Sequence, residues 1–107
     1  MNENALENIE FDGSNLWKEE NFTDLKVGTI RKLTPIKLDG TEDTSRKATF
    51  SATTNVMTPS GALPISGEID AETLEQAVEK FGDAINAAVK QLQDDMIRYQ
   101  QEQASKI

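Results

Sequence analysis

The stretch DAETLEQAVEKFGDAINAAVKQLQDDMIRYQQEQ, residues 70–103, decides the fold. From Ala71 to Gln103 it contains no proline, and Gly82 is its only glycine, so nothing in it stops a helix outright. Leu74, Val78, Phe81, Ile85, Ala88, Leu92, Met96 and Tyr99 recur at steps of three and four, and Ala77, Ala84 and Val89 widen the stripe. One long amphipathic helix is expected. Asp70 stands where an N-cap belongs, Glu72 and Glu75 put negative charge at the positive end of the helix dipole, and Ile69 with Leu74 has the spacing of a hydrophobic staple.

The residues before this rod read as strands. Ala48, Phe50, Ala52, Thr54 and Val56 share one parity, and Thr49, Ser51, Thr53 and Asn55 the other, a period of two that a helix would scramble. Thr58-Pro59-Ser60-Gly61 is a turn, because proline presets the first central dihedral and glycine re-enters the partner strand freely. Leu63, Ile65 and Ile69 then form a third strand, which Pro64 and Gly67 push toward an edge. Upstream, Leu25 to Leu38 is β-branched and basic, with its apolar parity changing at Gly28, where a bulge is expected. Pro35 cannot donate to a ladder, so this strand is at an edge or its pairing ends there. Asp39 to Ser45 is a polar loop with nothing to bury.

Residues 1–24 read as an acidic arm, and residues 25–107 as one domain. In the arm, Leu6, Ile9 and Phe11 are candidate anchors as an irregular strand, Gly13-Ser14 breaks it, and Ser14 is a candidate cap for a short helical turn through Leu16, Trp17 and Glu20. Trp17 and Phe22 are too large and apolar to be left in water, so the arm is expected to fold back. The fold class is therefore α+β: an antiparallel three-stranded meander, with an extra N-terminal strand as an option, followed by one long C-terminal amphipathic helix.

Composition narrows the chemistry. The 107 residues include neither cysteine nor histidine. That removes disulfides, sulfur-ligated zinc, the usual general base near neutral pH, and the Ser-His and Cys-His nucleophile pairs. No phosphate-loop or dinucleotide glycine pattern is present. Asp39, Glu42 and Asp43 lack the ligand rhythm of a calcium loop, and Ser14 with Lys18 lacks any oxyanion-stabilising neighbourhood. The chain reads as a non-enzyme without a cofactor or metal.

Charge is unevenly distributed. The formal net charge of -8 divides into -6 over residues 1–24, +2 over residues 25–69 and -4 over residues 70–107. Such acidity opposes binding to nucleic acid and to anionic membranes. Met1 to Asp12 carries four acids and no base, which is not the pattern of a secretory or transit peptide, and no apolar run approaches the ~20 residues of a membrane span. A cytoplasmic protein of bacterial or phage style is expected.

Length then points to a partner. A helix of about 33 residues extends about 50 Å, whereas strands of about nine residues extend about 30 Å. The apolar stripe outruns the sheet that should cover it. A second copy is the economical cover, with Phe81, Ile85, Ala88, Val89, Leu92, Met96 and Tyr99 as the expected oligomer interface. Trp17, Lys26, Arg31 and Lys32 are candidates for binding another protein. The functional expectation is a homo-oligomeric adaptor, assembly or chaperone-like protein acting through its sheet and helix surfaces. An acidic mimic of nucleic acid that inhibits a host or phage-defence enzyme is the alternative.

Overall fold

The computed structural model describes residues 9–105; the anchoring expected of Leu6 lies outside them, and Ile9 and Phe11, 77% and 91% exposed and outside any strand, do not anchor the arm. Four antiparallel strands, β1 (Leu16–Thr23), β2 (Gly28–Ile36), β3 (Thr49–Thr58) and β4 (Gly61–Ile69), form one sheet in chain order, and the helix α1 (Leu74–Ser105) follows. The optional N-terminal strand is thus real. The helical turn expected after Ser14 is not: Leu16–Thr23 is extended and pairs with β2 from Leu16↔Ile36 to Thr23↔Thr29. Ser14 instead donates its Oγ and N–H to Asp12 Oδ1, at 2.6 and 3.0 Å.

Register explains the two faces. Phe22, Ile30, Ala52 and Gly67 stand in one cross-strand row, and Lys32, Phe50 and Ile69 in the next such row of the central strands, all on the side that α1 covers. Ile30, Phe50, Ala52, Ile69 and Ala77 are the buried cluster, with Phe22, Leu74, Phe81, Ala84 and Ile85 packed around it. Burying an Ile or Phe side chain contributes about 1.5–3 kcal/mol, so a cluster this small is thin support for the chain. The other face carries Thr29, Ser51, Thr53, Asn55 and Ser66, and is open.

The strand boundaries correct one expectation and support two. Gly28 marks no bulge; it opens β2, and Leu25 and Val27 lie before it in the β1–β2 turn, where Asp24 Oδ1 accepts the N–H groups of Lys26, Val27 and Gly28 at 2.8–3.2 Å. A side chain at Gly28 would collide with the Phe81 ring, 2.9 Å from Cζ, and with the Thr53 carbonyl, so the glycine serves close approach. The β2–β3 ladder stops at Leu33↔Thr49, before Pro35. β4 is an edge strand, as Pro64 and Gly67 imply.

The helix begins three residues later than its composition suggests. Thr73, not Asp70, is the cap: Thr73 Oγ1 accepts the Gln76 N–H at 3.2 Å, and Gln76 Oε1 accepts the Glu72 N–H at 2.9 Å, a reciprocal arrangement akin to a capping box. Asp70 uses only its carbonyl, which takes Lys80 Nζ at 2.7 Å. α1 then runs 32 residues without a break at Gly82, about 48 Å at ~1.5 Å per residue.

Candidate functional site

α1 packs mainly on β4 and β3, less on β2, and meets β1 only near Phe22. Its course over the sheet is fixed by small residues. Phe81 lies over Gly28 in β2, and Ala84 and Ala88 lie over Gly67 in β4. From Gln93 to Glu102 every residue of α1 is exposed, about 15 Å of helix. The Cα radius of gyration is 18.6 Å, against about 13 Å for a compact chain of this length.

The seven expected interface residues therefore divide. Phe81, Ile85 and Ala88 are half-buried against the chain's own sheet, Val89 and Leu92 are half-buried at its margin, and Met96 and Tyr99 are 56% and 62% exposed. Ile97 is exposed beside them. Val89, Leu92, Met96 and Tyr99 keep heptad spacing, the geometry of a helix-pairing seam. An isolated helical segment of this length is marginal in water.

A second apolar feature adjoins the covered half of α1. Phe22, Val27, Gly28, Ile30, Leu74, Val78 and Phe81, with Thr23 and Asp24 at one end, line a groove of about 380 Å³ between α1 and the β1–β2 hairpin. Val78 is 60% exposed at its lip. Leu25, in the same turn as Val27, is 91% exposed and holds a left-handed backbone with φ of 57°. An exposed leucine in that conformation costs about 1–2 kcal/mol, which the turn offsets through the Leu25 N–H bond to Thr23 Oγ1 at 3.0 Å and the three N–H groups held by Asp24. Sequence periodicity does not show this groove, because it depends on Phe22 of β1 standing opposite Ile30 across the ladder.

The four candidate partner-binding residues do not form one patch. Lys26 is in the β1–β2 turn, Arg31 pairs with Glu19 on the open face at 3.1 Å, and Lys32 lies on the helix side with its Nζ 5.8 Å from the Phe50 ring centroid. Trp17 is held at the other end of the sheet. Its indole N–H donates to Asn15 Oδ1 at 3.0 Å, and the Arg46 guanidinium stacks 4.9 Å from its ring. Arg46 also donates to the Ile36 and Leu16 carbonyls, at 3.1 and 3.3 Å, and pairs with Asp43 at 3.0 Å, so it clasps the β2–β3 loop to β1.

The loop carboxylates are likewise occupied. Asp39 Oδ1 accepts from Thr41, and Asp43 Oδ1 from Ser45, through both the backbone N–H and the hydroxyl. Those bonds lower both pKa values; Asp43, with the Arg46 guanidinium beside it as well, falls to about 2. Hydrogen bonds from Ser14 lower Asp12, and backbone N–H groups lower Asp24. Among the described residues no group of three His, Cys, Asp or Glu side chains converges as a metal site, and no helix is long and apolar enough to cross a membrane. Along α1, Lys90 and Arg98 neutralise Asp94 and Asp95, while Glu75, Glu79 and Asp83 form a solvent-facing row one turn apart. No family model, no curated protein and no solved structure matches the chain.

Proposed function

We propose that this chain is a non-enzymatic, self-associating binding protein, an adaptor, assembly or chaperone-like protein whose work is done by surfaces. One observation carries the reading: the core stripe of α1 continues through half-buried Leu92 to Met96 and Tyr99, which are exposed. Contiguous apolar surface of this kind marks an interaction site. A thin internal core and an extended shape support the same reading.

Sedimentation velocity at micromolar concentration tests it. The wild-type chain sediments as a dimer or higher oligomer and Met96→Glu as a monomer; a wild-type chain that is monomeric throughout the micromolar range removes the proposal. A second reading, an acidic mimic of nucleic acid, draws on the Glu75, Glu79 and Asp83 row, which enters no ion pair among the described residues. It requires a basic partner whose binding collapses with salt, whereas association through the apolar seam is nearly indifferent to it.

A further inference from the structure

We propose that the groove beside Val78 is the receptor for the free end of α1 from a second copy, in an antiparallel, two-fold symmetric pair. The inference rests on the self-association proposed above and adds where and how the two copies meet.

The groove and the free seam are on one line of the same helix. Val78 and Met96 are about five full turns apart and so point in the same direction. Ile85 and Val89 lie between them on that side. At its proximal end this line has a wall, formed by Phe22, Val27 and Ile30 of the hairpin. At its distal end it has none, and Met96 and Tyr99 are exposed. Each chain therefore holds a groove without a filler and a filler without a groove. Reversing a second copy about a two-fold axis near Val89 satisfies both at once. Tyr99 then opposes Val78, Met96 opposes Phe81, and Leu92 opposes Ile85, because each pair keeps the same register along two antiparallel rods.

Two further features fit this arrangement. Phe22 of β1 is left half-buried beside α1, and the incoming helix covers it. Between the two helices themselves the flanks avoid like charges. Asn86, Gln93 and Gln100 border one side of the line, and Asp95 falls between Phe81 and Ala88 of the other copy. A parallel pair would set every seam position against itself, leaving each groove without Met96 and Tyr99.

The absence of native cysteine gives a clean test. Val78→Cys and Tyr99→Cys are made in separate full-length chains, mixed, and oxidised, with sedimentation run beside them. Both sites are solvent-exposed in the single chain, so folding is preserved. The proposal expects the mixed disulfide between the two variants at least tenfold above either symmetric one. A predominant Tyr99→Cys homodimer places the contact at the two free ends and overturns the docking while leaving self-association intact. A dimer that forms no disulfide of any kind places the interface elsewhere and also overturns the docking. A monomer in every mixture overturns both.

Discussion

The Ala84 carbonyl lies so close over Gly67 that a β-carbon there would stand 2.9 Å from its oxygen. This contact sets how closely α1 lies on β4. Gly67→Ala is therefore expected to lift the helix and destabilise the fold by about 1–3 kcal/mol, measured by urea unfolding. Gly82, with nothing near its missing side chain, is the contrast: Gly82→Ala stabilises by about 0.5–1 kcal/mol.

The β1–β2 turn stores a smaller strain. Leu25→Gly releases the left-handed leucine and raises thermal stability by about 1 kcal/mol at most. Because Leu25 sits in the turn that walls the groove, the same change weakens self-association; equilibrium sedimentation reads that second effect. A substitution that stabilises the fold and leaves association untouched would separate the turn from the interface.

The helix start distinguishes two threonine and aspartate roles. Thr73→Ala removes the acceptor for the Gln76 N–H and costs about 1 kcal/mol of stability. Asp70→Ala, which keeps the carbonyl bound by Lys80, costs less than half of that in the same unfolding assay.

Acid loosens the clasp around Trp17. Asp43 has a folded pKa of about 2, below the ordinary ~3.9 of an unfolded Asp. Its contribution to stability is fully present above about pH 4 and is lost as the pH falls toward 2. Trp17 fluorescence, sensitive to the stacked Arg46, changes across that window in the wild type. In Asp43→Asn the acid-dependent step is smaller.

Much of this architecture was legible from residue order. The period of two in Thr49–Thr58, the Pro59-Ser60 turn and the unbroken stripe of Leu74–Ser105 each answer to local physics. β1 was legible only as an option and not in its place, because Trp17-Lys18-Glu19-Glu20-Asn21 has the charged character of a protected edge, and only pairing with Ile30 to Ile36 makes it extended. Gly28 was misread as a bulge for a related reason: its need for a bare backbone comes from the Phe81 ring, some fifty positions away. Thr73 with Gln76 carried a capping signature that the more conspicuous Asp70 obscured. The free seam could be expected from length alone, whereas the groove required Phe22 and Val78 to be brought together.

Amide hydrogen exchange over residues 89–102, followed as the protein is diluted, tests the central claim most directly. If another copy covers this part of α1, these amides are protected at micromolar concentration and lose protection on dilution, while those of Phe50 and Ala52 stay protected. Protection that is independent of concentration, or absent at every concentration, contradicts the account.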